Sequence, residues 1–358
     1  MQKKWLIYGA YGYTGELIAR EAQRLGMKPV LAGRNIEKLQ PLGKELDLET
    51  RAFPLNSTTA DSLSDIALVL HCAGPFQKTS ASMIEACLTS GAHYLDITGE
   101  ISVFEHTLAQ DARAKNAGIV LCSGVGFDVV PTDCTALKLK ELMPDATELA
   151  LGFDSDSGIS PGTYKTMIQG LGSGSMKRQE IQLIPVPLGS QRRVIDFGRG
   201  KVSAMGIPWG DVSTAFYTTG IPAISTWIPM KKPKIIAARL FSKAGSLLAL
   251  PAIQETLKKW VEHRISGPDE NLRANSPAYI WGEARNAAGV AATVRIQTAN
   301  VYDLTVYGAL EVARRLLNSE FTCGSYTPAK LFGSEFIEQL PGSGKFEADV
   351  IFPSNKKS

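Results

Sequence analysis

Three glycines spaced by three, Gly9, Gly12 and Gly15, follow the apolar run Trp5-Leu6-Ile7-Tyr8 and open a helix-like stretch that begins at Tyr13. A turn of this make-up suits a pyrophosphate. Gly9 permits the tight exit from a strand, Gly12 lets backbone approach the phosphates, and Gly15 lets the helix lie close on the strand. Tyr11, Tyr13 and Thr14 complete the turn. The helix behind it would aim unpaired N–H groups and the positive end of its dipole at the anion. About twenty residues further on, where a dinucleotide-binding unit inspects the adenosine ribose, the chain reads Leu31-Ala32-Gly33-Arg34-Asn35. An acid there would favour NAD. Arginine can grip a 2′-phosphate with two parallel hydrogen bonds and stack on adenine. The expected cofactor is therefore NADP(H), held by Gly9, Tyr11, Gly12, Tyr13, Thr14, Gly15, Arg34 and Asn35, with Lys38 able to assist.

Three later segments end strand-like runs on what would be the same edge. Cys72, Ala73, Gly74 and Pro75 follow Leu68-Val69-Leu70-His71; their small size suits contact with the ribose and nicotinamide end. His71 alternates away from Cys72 and reads as a buried structural histidine. Tyr94-Leu95-Asp96-Ile97-Thr98-Gly99-Glu100 ends the next run, and Asp96 and Glu100 could hold water, cap the following helix or handle protons. Gly126-Phe127-Asp128 ends the sixth, ahead of Pro131 at a tolerated first helical position, so Asp128 could cap that helix or face substrate. Tyr164 and Lys165 are the remaining candidates for acid–base work. Being adjacent, they cannot share one helix face. The candidate catalytic residues are thus Asp128, Asp96 and Tyr164.

These residues need a frame. Strands are expected at Lys4–Tyr8, Lys28–Gly33, Thr50–Phe53, Ile66–Cys72, His93–Ile97 and Ile119–Cys122, and helices at Tyr13–Leu25, Ile36–Leu46, Ser80–Ser90 and Val103–Asn116. Continuously apolar strands suit a parallel sheet covered on both faces, so residues 1–130 read as a doubly wound α/β domain. At 358 residues the chain calls for a second domain. Its strands are expected near Thr147–Asp154, Ala278–Ala287 and Ala291–Thr298, with short pieces at Ile181–Pro187 and Arg193–Phe197. Helices are expected at Pro161–Leu171, Lys234–Leu250, Ile253–Ile265 and Val301–Leu317. The tail, about 325–358, is expected to return to the first domain, leaving 131–324 as the second, with a helical insertion at about 231–266.

Composition narrows the class. Apolar residues make up 44% and charged residues 20%, as in globular proteins, and a net charge of +3 gives no footprint for nucleic acid. Five scattered cysteines and four histidines offer no ligand spacing, so no metal site is expected. The N-terminus enters a strand at once, and no run of about 20 apolar residues occurs; a cytoplasmic protein is the expectation. The segment Lys231–His263 mixes many cations with apolar residues. It could lie on a membrane surface, pack on the domain or join a homodimer interface.

The glycine turn, Ala32-Gly33-Arg34, Cys72-Ala73-Gly74-Pro75-Phe76, Tyr94 to Glu100 and Gly126 to Asp133 together resemble the saccharopine dehydrogenase-like oxidoreductases, in the branch that includes trans-acting enoyl reductases. Tyr217 to Pro222, Trp281-Gly282-Glu283-Ala284 and Thr327-Pro328-Ala329 are similar to that branch as well. The resemblance implies an N-terminal Rossmann-type doubly wound parallel sheet, a second α/β domain built on a mixed sheet, and NADP(H). It also implies an enoyl or carbonyl group on a lipid-like or acyl substrate, often carrier-bound. Two alternatives stay open: a saccharopine reductase-type amino-acid dehydrogenase, and a non-catalytic NADP(H)-binding lipid-surface protein. Trp209, Phe216, Tyr217 and Trp227 could line an apolar pocket or sit in the core.

Overall fold

A computed structural model of the chain describes residues 4–156, 174–242, 271 and 275–352. The chain divides into two compact units, Met1–Val130 with Tyr302–Leu331, and Pro131–Val301 with Phe332–Ser358.

In the first unit the strands are β1 (Trp5–Tyr8), β2 (Val30–Gly33), β3 (Thr50–Ala52), β4 (Leu68–His71), β5 (His93–Asp96), β6 (Val120–Cys122) and β15 (Gly324–Tyr326). They form one sheet in the order β3-β2-β1-β4-β5-β6-β15, and every pairing is parallel. All four residues of β1, β2 and β4 are buried, which explains why these strands read as unbroken apolar runs: helices cover both faces. Those helices are α1 (Tyr13–Arg24), α2 (Ile36–Leu46), α3 (Phe76–Ser90), α4 (Ile101–Leu108) and α5 (Asp111–Ala117). Gly91 and Gly118 close α3 and α5 in the left-handed conformation, as their sequence positions suggest. Strand order reverses between β1 and β4, the place where open α/β sheets bind ligands beyond the strands' C-terminal ends.

The second unit holds α6 (Val130–Leu142), β7 (Ala146–Ser155), β8 (Ser175–Gln179), β9 (Gln182–Val186), β10 (Arg192–Asp196) and β11 (Lys201–Ile207). It continues with α7 (Asp211–Thr219), β12 (Ala223–Pro229), α8 (Lys232–Ser242), β13 (Ala278–Asn286), β14 (Ala291–Thr298) and β16 (Glu347–Ile351). The main path of its sheet runs β10-β11-β12-β7-β13-β14-β16, with the β8–β9 hairpin branching from β12. The β12–β7 pair is parallel and the others antiparallel, so the sheet is mixed. Alternation sorts its residues. Leu149 and Leu151 of β7, Ala284 and Val294 pack with Leu139 and Met143 from α6 and its C-terminal end and with Ala215 of α7, whereas Ala150, Phe197, Trp227 and Trp281 build the other face. Trp227 is thus core. Trp209 packs against Phe153 in a tilted pair with ring centroids 4.8 Å apart, and Phe216 lies under the Arg178 guanidinium at 4.4 Å.

The structure corrects the expected division. Helix α9 (Val301–Asn318), placed in the second domain from sequence, belongs with the first unit from Tyr302 onward. The tail divides: β15 extends the parallel sheet beside β6, but the chain from Phe332 returns to the second unit, where β16 pairs with β14. The stretch expected as one helix, Val103–Asn116, is two, interrupted at Ala109 and Gln110. Helix α3 starts at Phe76, a turn before Ser80. The helices expected at Pro161–Leu171 and Ile253–Ile265, and the part of Lys231–His263 beyond Ser242, lie outside the described residues. No helix among the described residues is long and apolar enough to cross a membrane.

Candidate functional site

The turn after β1 is built as the glycine spacing demands. Gly9 has φ +89°, and a Cβ there would lie 2.9 Å from the backbone of Cys72 and Ala73, so the β1 and β4 loops can touch only because position 9 has no side chain. A Cβ on Gly15 would collide with the Gly9 carbonyl, which explains the close fit of α1 on the turn. The N–H groups of Gly9 and Ala10 both donate to the Ala32 carbonyl, at 2.8 and 3.1 Å, tying the turn to the tip of β2. Gly12 is the N-cap of α1 and offers no side-chain acceptor to the helix's first N–H groups.

Two other helices on this edge have their N-termini filled. Asn35 caps α2 by accepting from the Lys38 N–H at 3.2 Å. Helix α3 is capped from a distance: Glu100 accepts from Phe76 N–H at 3.0 Å and from Gln77 N–H at 2.8 Å. The expectation that Glu100 could cap its following helix is corrected here. It is the N-cap residue of α4, yet its carboxylate turns back to the N-terminus of α3. A hydrogen bond from its own N–H to Thr98 Oγ1 sets that direction. Among these three, α1 is the one whose dipole end is left open to a phosphate.

Arg34 stands exposed immediately beyond β2, and its side chain makes no hydrogen bond or ion pair among the described residues. This contrasts with Arg20, Arg24 and Arg51 on the same unit, each locked to carboxylates. Tyr11 lies across Gly33, where a Cβ would be 2.6 Å from its ring, and Lys38 Nζ sits 5.8 Å from the ring centroid. The site therefore offers two cations and an aromatic face around a β2 tip kept bare by glycine. Behind it, Tyr8 donates to the Phe53 carbonyl at 3.0 Å; burial pushes its phenol up to about 12 against the opposing charge of Arg34.

Beside the turn, the loop Cys72 to Pro75 carries a cis Gly74–Pro75 peptide and is braced from below. Thr79 Oγ1 donates to the Ala73 carbonyl at 2.8 Å. With that hydrogen spent, the 2.9 Å contact between Thr79 Oγ1 and His71 Nε2 requires His71 to donate, which fixes the Nε2–H tautomer. His71 is fully buried, and burial holds its imidazole down to about 3. Burial likewise raises the Cys72 thiol far from thiolate chemistry.

The acidic candidates separate. Asp96 is fully buried and accepts four hydrogen bonds: Tyr94 OH and Ser123 Oγ on Oδ2, both at 2.8 Å, and the N–H groups of Thr98 and Gly124 on Oδ1, at 3.0 and 2.9 Å. Burial raises its carboxyl and the four donors oppose that shift. With both oxygens engaged, Asp96 joins the loops after β5 and β6. Asp128 stays half-buried at the strand edge, its carboxylate against Gly99, where a Cβ would lie 2.6 Å from Oδ2. Tyr164 and Lys165 lie outside the described residues. The sequence reading missed the Glu100–α3 cap and the Asp96 junction, because Phe76 and Gln77 lie 23 to 24 positions from Glu100, and Ser123 and Gly124 lie 27 to 28 from Asp96, with no local motif to mark them.

Comparison with known proteins agrees with this geometry. Residues 5–122 match the family model described as the saccharopine dehydrogenase NADP binding domain. A human saccharopine dehydrogenase-like oxidoreductase is 28% identical over 214 residues, 51% of this chain and 50% of the relative. The trans-acting enoyl reductase of Mycobacterium bovis is 25% identical over 201 residues, 51% of this chain and 48% of that protein. The chain thus spans about half the length of the curated relatives it matches. Apo saccharopine dehydrogenase (L-Glu forming) from Saccharomyces cerevisiae superposes with a TM-score of 0.66 at 10% identity, covering 98% of this chain and 100% of that one. Residues 5–122 are thus similar to the NADP-binding domain of saccharopine dehydrogenases, and about half of the chain is similar to saccharopine dehydrogenase-like oxidoreductases.

Proposed function

We propose that the protein is an NADP(H)-dependent oxidoreductase that reduces an enoyl or carbonyl group of a lipid-like acyl substrate. The observation that carries the cofactor half is the uncommitted Arg34 guanidinium beside an uncapped α1. In this reading the N–H groups of α1 bind the pyrophosphate, Arg34 and Lys38 hold the 2′-phosphate, and Tyr11 gives the adenine a ring to pack on. The loop Cys72 to Pro75 borders the nicotinamide end. NADPH, when bound, supplies the hydride.

The substrate half rests on two supports. One is the similarity to the Mycobacterium bovis enoyl reductase. The other is Glu100, which fills the α3 N-terminus with a carboxylate, so that dipole end is closed to an anionic substrate group. Reduction of an α,β-unsaturated acyl group also needs a proton at the α-carbon. Asp128 is the described candidate at the strand edge that could deliver it, since Asp96 is saturated.

The test is NADPH oxidation by the purified chain against a panel of enoyl thioesters, long-chain ketones and the condensation partners of saccharopine. Turnover on the first or second group, abolished in Asp128→Asn with NADPH affinity retained, is expected. Turnover confined to the amino-acid panel would overturn the substrate assignment, and absence of NADPH binding would overturn the whole reading.

A further inference from the structure

Helix α8 is amphipathic in an unusual sense: it is anchored by one apolar side and presents another to solvent. Ile235 is 2% exposed and packs with Met205 and Ile207; Ala238 joins the same cluster. At about 100° per residue, the opposite side of the helix is centred on Pro233, Ile236 and Leu240. There Ile236 is 55% exposed and Leu240 63% exposed. A surface helix that only packs on its own domain places polar residues on that side.

The cations complete the pattern. Lys231, Lys232, Lys234 and Arg239 are all exposed, none is ion-paired among the described residues, and residues 231–242 contain no acid. By contrast, Lys4, Arg113 and Lys115 are each paired with a carboxylate. On the helix wheel Lys232 and Arg239 flank the exposed apolar strip on one side and Lys234 on the other. Apolar side chains between unneutralised cations are complementary to a lipid interface, where alkyl groups enter the headgroup boundary and cations meet phosphates. A protein partner of matching chemistry would leave four charges to be paired at fixed points; an anionic lipid surface supplies mobile counter-charges at any point.

We propose that α8 docks the protein on an anionic lipid surface, with Ile236 and Leu240 inserted and the four cations facing lipid phosphates. The docking needs neither the cofactor nor the catalytic reading, so it stands or falls separately from the proposed activity.

The experiment is vesicle flotation of the full chain with phosphatidylcholine alone and with phosphatidylcholine enriched in phosphatidylserine, at low and high salt. Binding to the anionic vesicles that weakens with salt is expected. Two double variants follow: Ile236→Ser with Leu240→Ser, and Lys232→Glu with Lys234→Glu. Both change exposed positions, so thermal stability and NADPH affinity should match the parent. Each pair should cut partitioning by about tenfold or more, given about fivefold for each cation lost near such a surface. No flotation at any composition, or parental binding by both variants, would overturn the proposal. So would a change of oligomeric state in the serine variant during sedimentation, because that would assign the strip to a second copy of the chain.

Discussion

In the proposed reading, cofactor choice turns on Arg34. Its guanidinium makes no hydrogen bond or ion pair among the described residues, whereas Arg20 and Arg51 on the same unit spend theirs on carboxylates. Arg34→Asp removes charge-assisted hydrogen bonds to a 2′-phosphate and adds repulsion. Affinity for NADPH should fall by roughly 2–4 kcal/mol while NADH binding is spared. Calorimetric titration of both cofactors checks this, and equal losses for the two would contradict the role. His71 makes a different kind of prediction. Its folded pKa, down to about 3, lies below the ordinary histidine value, so between those values the unfolded chain binds more protons than the folded one. Stability from this residue is complete above the unfolded pKa and is lost as pH falls. From pH 7.5 to 5 the loss is roughly 2 kcal/mol. In His71→Gln the amide can still donate to Thr79 but cannot titrate. Urea unfolding at the two pH values should show the parent losing about that much more than the variant, and parallel losses would refute the assignment.

At the scale of elements, the site is a set of helix N-termini treated differently. α1 is open, α2 is capped by its own Asn35, and α3 is filled by Glu100 from the next loop. Glu100→Ala leaves two first-turn N–H groups of α3 without their acceptor, which should cost about 1–2 kcal/mol in urea unfolding. Glu100→Gln keeps one acceptor oxygen and should lose less. If alanine and glutamine variants are as stable as the parent, the cap carries no weight. These elements also show what a sequence can convey. β1, α1 and β2 were legible because parallel strands buried on both faces leave unbroken apolar runs, and because glycines at 9, 12 and 15 answer to steric limits within one turn. Helix α7 and strands β11 and β12 were not, since residues 172–232 are crowded with Gly, Pro and Ser and the mixed sheet buries alternating small residues such as Ala204 and Gly206. The break between α4 and α5 was hidden for another reason: Ala109 and Gln110 are ordinary helix formers, and nothing local marks the interruption. Glu100 was read as a capping candidate, but which helix it serves depends on how the loop after β5 turns.

For the molecule as a whole, the decisive feature is that neither unit is continuous in sequence. The first borrows Tyr302–Leu331 from beyond the second. That borrowed segment supplies β15, which closes the β6 edge of the parallel sheet, and most of α9. It is bound in by specific contacts. Thr305 Oγ1 accepts from Phe127 N–H at 3.0 Å, Ser325 N–H donates to Asp111 at 2.9 Å, Ser325 Oγ donates to the Thr107 carbonyl at 2.9 Å, and Tyr302 meets Tyr13 edge-on at 5.2 Å. The last contact places a borrowed ring against Tyr13, the first residue of α1 behind the glycine turn. A fragment of residues 1–130 would leave β6 as a bare edge and expose the surface that α9 covers. Such a fragment should therefore be poorly folded, with weak NADPH binding and no cooperative urea transition. Joining 302–331 to residue 130 through a flexible Gly/Ser linker should restore both, because loop closure costs little beside the burial regained. Circular dichroism and cofactor titration of the two fragments decide the matter: a cooperative, NADPH-binding 1–130 would show that the unit ends where its continuous sequence does, and that the returning helix and strand are decoration.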